Sequence, residues 1–231
     1  MIRDKDAERE ALALLPFEAS GSTKEMDEWL AGLPGDKAQS SEIIEIRKAW
    51  ARTRGDFAEA IRLDRLQPYS GANQLPIDKE PQAFEAAVTL AATGDMAGAR
   101  ARLEDLPVKI RALLVNDPGN ADLLSRLGRM EALLGNRDEA VRCGRKAVEV
   151  RPASYDRGWA AFHTYRLAVI LAWAGDKDGA IEEFARLMRS EPNVPGMSIY
   201  HLKYGPWAWP LRGDPRFEAL LNDPKNNAPL F

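Results

Sequence analysis

The 231-residue sequence has one cysteine, Cys143, and two histidines, His163 and His201. A single cysteine excludes an internal disulfide and fits a reducing compartment. Neither histidine lies in an HExxH pattern or at ligand spacing from the cysteine, so no metal motif is present. Charge of one sign is scarce. The 32 Lys and Arg against 35 Asp and Glu give a net charge of −3, too near neutrality to steer the whole chain toward nucleic-acid phosphates or an anionic membrane. No apolar run approaches the roughly 20 residues that cross a bilayer. The opening Met1-Ile2-Arg3-Asp4-Lys5 is charged where a secretory signal is apolar. GxGxxG, GxxxxGK[ST] and GxSxG are all missing, which removes the usual signatures of phosphate cradles and acyl transfer. These absences predict a non-enzymatic cytoplasmic protein with no cofactor, metal, nucleic-acid or membrane partner. Arg142 and Arg145 flank Cys143 without a surrounding motif, so the thiol reads as packed and inert.

What the chain does have is a repeat. Apolar residues make up 45% of it, enough for a core. Gly55 opens GDFAEAI, Gly94 GDMAGAR, Gly135 GNRDEAV and Gly175 GDKDGAI, a period of about 40 residues that signals a solenoid array. Each glycine sits between two helical stretches. In the third unit Leu123, Leu124, Leu127, Met130, Leu133 and Leu134 recur at helical spacing. Glycine takes the left-handed conformation that ends a helix. The Asp or Asn after it caps the next one. Ala60, Ala99, Ala140 and Ala180 each lie at the same offset from their glycine, where a small residue lets the two helices cross closely.

Units three and four resemble tetratricopeptide repeats. Unit three carries Leu127-Gly128, Gly135, Ala140, Ala147 and Pro152, and unit four Leu167-Ala168, Gly175, Ala180, Phe184 and Pro192. Unit two keeps Ala87, Gly94 and Ala99, its second helix running past Pro107 to Val115. Unit one keeps Gly55 and Ala60 and closes at Pro68. The resemblance implies an all-α fold: an α-solenoid, a right-handed superhelix of helix hairpins with capping segments at both ends. The expected divisions are an N-terminal hairpin over 1–35, four repeats within 36–195 (about 40–68, 80–118, 120–152 and 156–192), and a C-terminal cap over 196–231.

In the N-terminal part a helix over 3–15 is expected to end at Pro16. Ser22-Thr23-Lys24-Glu25 reads as a capping box for a helix through Leu30. After Pro192 a loop is expected at 193–196 and a short helix over 198–204. The Gly-Pro-Trp-Ala-Trp-Pro stretch at 205–210 excludes regular helix. Asp214-Pro215 starts a last helix over 215–221. Tyr204, Trp207, Trp209, Leu211 and Phe217 read as the cap that an array needs at its end. The ending PLRGDPRFEALL is similar to the tails of bacterial regulatory proteins in which helical repeats follow a kinase, cyclase or DNA-binding domain.

Tetratricopeptide arrays bind peptides or proteins on their concave face. Carried over by offset from each glycine, the resemblance places Arg52, Glu85, Asp122, Ser125, Arg129, Phe162 and Tyr165 on that wall, with Glu42, Glu45, Gln82, Thr89 and Val169 beside them. The wall would be acidic at its N-terminal end and aromatic at its C-terminal end. Trp50, Trp159 and Trp173 suit packing between hairpins as well as binding. The expected function is a protein- or peptide-binding scaffold. Self-association, with monomer or homo-oligomer left open, is one competitor. An enzyme site near Trp207–Trp209, with His201 and Lys203 at hand, is the other.

Overall fold

The computed structural model describes residues 5–66, 80–152, 156–190 and 198–226. Every regular element there is helical, and no strand occurs among the described residues. The first elements are α1 (Lys5–Ser20), α2 (Lys24–Ala31), a single turn α3 (Gly35–Ala38), α4 (Ser41–Thr53) and α5 (Phe57–Leu66). Then come α6 (Glu80–Ala92), α7 (Met96–Leu103), α8 (Leu106–Asn116), α9 (Ala121–Leu134) and α10 (Arg137–Val150). The chain ends with α11 (Arg157–Ala174), α12 (Lys177–Ser190), α13 (Ile199–Tyr204), a 3-10 turn (Trp209–Leu211) and α14 (Pro215–Asn222).

The hairpins α4/α5, α6/α7, α9/α10 and α11/α12 are closed by the four repeat glycines. Gly55, Gly94, Gly135 and Gly175 have φ of 84, 91, 92 and 89°. In each turn the N–H of the next residue returns to the carbonyl five positions earlier, as in Asp56 to Ala51 and Asp176 to Leu171. That bond satisfies a helix-end carbonyl, and only the left-handed glycine brings it into reach. Asp56, Asp95 and Asp176 then accept the N–H groups of Glu59, Gly98 and Gly179. Asn136 does not cap its helix. Its amide turns back to the buried Glu131 carboxylate instead. Ala60, Ala99, Ala140 and Ala180 are fully buried at the crossings. Successive helices pack in chain order, so the fold is an all-helical solenoid with one large buried cluster and a small one around Ala140 and Ile170.

Three local expectations are corrected. First, α1 runs through Pro16 to Ser20. Phe17 is fully buried and lies edge-on to Trp50, at 5.2 Å between ring centroids, and to His201, at 5.4 Å. That packing outweighs the hydrogen bond lost at proline. Second, the helix after Gly94 breaks at Glu104-Asp105. Pro107 lacks an N–H and crowds the carbonyl of Leu103, so it sits in the first turn of a new helix, α8. Third, Ser22 bonds the Glu25 side chain directly at 2.7 Å, and Thr23 makes no side-chain cap bond. The closings at Pro68 and Pro192 and the loop at 193–196 lie outside the described residues.

The C-terminal segment spans the array. At the last hairpin, Phe217 meets Phe184 at 6.1 Å. At the first ones, α13 packs on α1 and α4. Tyr204 lies 6.2 Å from Phe17, and Trp209 stands edge-on to Phe57 at 5.1 Å. A Cβ on Gly55 would come within 3.1 Å of the Tyr204 carbonyl, so the tail passes directly over the first repeat turn. Between these ends Trp173 donates its indole N–H to the Trp207 carbonyl at 2.9 Å, and Trp207 donates its own to Glu85 at 3.0 Å.

Candidate functional site

The residues placed on the concave wall by sequence do converge, but most are buried. Arg52, Ser125, Arg129 and Tyr165 are all under 10% exposed, and Thr89 and Val169 are buried with them. The reason is pairing and the tail. Arg52 donates twice to Asp64 of its own hairpin, at 3.1 and 3.0 Å. Arg129 lies over the Phe84 ring at 4.3 Å. Tyr165 meets Phe184 at 5.9 Å. Glu85 accepts the Trp207 indole. Burial pushes its carboxyl above the usual range, against the pull of Arg52, Arg129, Trp207 and Arg166. The acidic end is also neutralised, since Glu45 pairs with the buried Lys48 at 2.7 Å, while Glu42 stays exposed.

Near the starts of α6, α9 and α11 several described side chains reach the surface. Gln82 is exposed there, and Asp122 and Phe162 are half-buried. The α11 start is fixed by Asp156, whose carboxylate accepts the Trp159 N–H at 3.0 Å. Trp159 lies in the first turn and is 52% exposed, while Ala160, Ala161, Thr164 and Ala168 of the same helix are buried. Trp159 stacks on His163 at 6.0 Å with 26° between planes, and stands edge-on to Phe162 at 5.6 Å. Trp159 is therefore no core residue, whereas Trp50 is buried and Trp173 half-buried.

Beneath this aromatic group runs an ion network. Arg166 lies over Phe162 at 4.0 Å and donates to Asp122 at 2.6 Å and to Ser125 at 2.9 Å. Arg126 also pairs with Asp122, at 2.7 Å. Burial works to raise the Asp122 carboxyl, but Arg166 and Arg126 overcome it and hold it below the usual range. Beside the network opens a cleft of about 460 Å³, lined by Asp117, Asn120, Asp122, Arg151, Trp159 and His163 among others. The wall offset pointed to Asp122, Ser125 and Phe162 but missed Trp159, His163 and Arg166. The signal was present in the four-residue spacing of Trp159 and His163, which puts both on one face of α11.

Elsewhere the chemistry is quiet. Burial, with Glu139 nearby, pushes the Cys143 thiol up to about 11. Near Trp207, His201 is buried with Nδ1 2.9 Å from Ser198 Oγ, and Lys203 lies over Tyr204. Among the described residues no three His, Cys, Asp or Glu side chains are placed to hold a metal ion. No described helix is long and apolar enough to cross a membrane.

No curated protein matches the chain. The model of the tetratricopeptide repeat family matches residues 164–193, the stretch that runs from within α11 through the Gly175 turn and α12.

Proposed function

We propose that the protein is a non-enzymatic scaffold that holds a peptide or protein segment at the open rim where α9 and α11 begin. The observation that carries this is Trp159. A large aromatic side chain is held outward on a capped helix, backed by His163 and Phe162, at the mouth of a polar cleft. Exposed aromatics on rigid elements are the usual anchors of recognition. The repeat fold and the tetratricopeptide match at 164–193 support an interaction role. The likeness of the tail to repeat regions of bacterial regulatory proteins favours a cytoplasmic signalling context. Of the wall residues, Asp122 and Phe162 would contact the partner. Arg52, Glu85, Ser125, Arg129 and Tyr165 would support the surface from behind.

The test is selection of displayed peptides on the purified chain, followed by affinity measurement. Selected peptides should lose at least about tenfold in affinity on Trp159→Ala, the scale of an anchor residue. Peptides that bind the variant equally well would remove this site.

Self-association has one observation in its favour: Leu12 and Leu15 on α1 are 65% and 45% exposed. Light scattering that stays monomeric across concentration removes it.

A further inference from the structure

The segment before α14 lies against helices from three of the four hairpins. α13 packs on α4, and the 3-10 turn Trp209–Leu211 packs on α11 and α12. Between them Trp207 donates its indole N–H to Glu85 of α6 at 3.0 Å and offers its carbonyl to the Trp173 indole of α11 at 2.9 Å. α4, α6 and α11 are the first helices of their hairpins. The tail thus meets the wall as a ligand segment meets a groove, through one aromatic anchor, one side-chain donor and one main-chain acceptor.

Two features mark this contact as exchangeable. First, the joint is polar and open to water. Glu85 and Trp207 are only half-buried. Arg52, Arg129 and Arg166, whose charges act on Glu85, are each under 10% exposed. A carboxylate among guanidiniums is costly to hold under a fixed cover. Second, the tail leaves the wall incompletely satisfied. Arg52 donates through Nη2 to Asp64, but its Nε is sealed from the surface and has no hydrogen-bond partner. Arg52 stands on α4, the helix on which α13 packs. A buried N–H without an acceptor lowers stability, and no group of the tail supplies one.

We infer that residues 198–211 are an internal ligand, which gives way on this wall to a partner segment that carries a tryptophan for Glu85 and Trp173 and adds a carboxylate or carboxamide acceptor for Arg52. The acceptor decides between a partner and a second copy. The tail of another copy would leave Arg52 Nε unmet again, whereas a segment with the acceptor displaces the tail. The inference stands apart from the rim reading, since Trp159 takes no part in it.

Hydrogen exchange on the full chain is the first test. The amides of Gly205, Trp209 and Leu211 are bonded within the tail. They should open together at least about a hundredfold more often than those of α9 and α11. Equal protection in tail and array would overturn the inference, because the tail would then leave only when the chain unfolds. The second test titrates fluorescein-labelled peptides of residues 198–213 into the full chain. The native-sequence peptide should bind Trp207→Ala at least about tenfold more tightly than the parent, whose own tail competes at high effective concentration. A peptide carrying Trp207→Phe should lose that advantage, and Trp159→Ala in the full chain should leave every affinity unchanged. A Glu scan of peptide positions 198–206 should yield at least one peptide several-fold tighter than the native sequence. Arg52→Lys, which keeps the charge and has no Nε–H, should cancel the improvement. Equal binding to the parent and Trp207→Ala, indifference to Trp207→Phe, or a scan without an Arg52-dependent gain would each overturn the inference. If Trp207→Ala does not fold, hydrogen exchange and the Glu scan on the parent decide.

Discussion

Trp207 and Glu85 meet across 122 residues of chain, the indole Nε1 donating to Oε2 at 3.0 Å. The same tryptophan offers its carbonyl to Trp173 on α11. One residue therefore ties the tail to the second hairpin and the fourth. Trp207→Ala should cost about 3 kcal/mol, the low end for a large aromatic because Trp207 is only half-buried. It should also speed proteolysis within the tail. Urea unfolding with limited digestion checks both. An unchanged midpoint would mean the tail merely rests on the array.

Glu85 itself gives a pH signature. Burial raises its folded pKa above 4.5. Its folded form therefore binds protons more tightly than the unfolded chain. The resulting stability is fully present below the unfolded value and is lost as pH rises through the raised one. Glu85→Gln keeps an acceptor for Trp207 and removes this dependence. The variant should gain stability relative to the parent as pH climbs from about 4.5, read as diverging urea midpoints. Parallel midpoints would mean that the nearby arginines compensate the buried charge in full.

The two histidines slope the other way. Burial depresses both His163 and His201 to about 4 from 6.5. Their contribution is intact above 6.5 and disappears as pH falls toward 4. Between pH 7.5 and 5 each ring should remove about 2 kcal/mol. Replacing both with Gln should flatten the acid side of the stability profile. A double variant whose profile runs parallel to the parent's over that range would show that the rings titrate normally.

The hairpins were legible because their signals are local. A turn glycine, a capping Asp and a crossing alanine each act within a few residues, and the four units repeat them. Pro16 and Pro107 show where local signals stop. One is overruled by the burial of Phe17, and the other splits a helix whose apolar pattern runs on past it. The wall residues lie on the first helices of their hairpins, yet Glu85 is met by Trp207 of a tail more than 100 residues away. Offset from a glycine carries no information about that. Trp159 was ambiguous for a related reason. Whether an aromatic at a helix start faces core or solvent depends on the rotation of α11, which is set by the packing of its buried face on α9, α10 and α12.

Gly128 tests the close crossing of α9 and α10. A Cβ there would lie 2.9 Å from the Ala140 carbonyl and 2.7 Å from the Ile170 methyl. In an open helix Gly→Ala stabilises by up to about 1 kcal/mol. Here the backbone carbonyl cannot move aside cheaply, so Gly128→Ala should destabilise by roughly 1–3 kcal/mol. Ala140→Leu, at a fully buried crossing alanine, should do the same. A gain in melting temperature for Gly128→Ala would show that the hairpin has room to spread.

Tyr165 and Trp159 separate support from contact. Both are large aromatics on α11, six residues apart, but Tyr165 is 9% exposed and Trp159 is 52% exposed. Tyr165→Ala removes a ring packed against Phe184 and should cost about 3 kcal/mol, as core aromatic truncations do. Arg129→Ala should likewise lower stability, by about 1 kcal/mol, through loss of its contact over Phe84. Any binding defect in these two variants should shrink once the folded fraction is restored, for example at lower temperature. Trp159→Ala gives up only the half of the ring that is covered. It should cost less than Tyr165→Ala, about 1–2 kcal/mol from its contacts with Phe162 and His163, while weakening peptide capture. The decisive comparison is affinity at matched folded fraction. If Tyr165→Ala then loses binding and Trp159→Ala does not, the partner enters along the wall beneath the tail, and the rim is not the site.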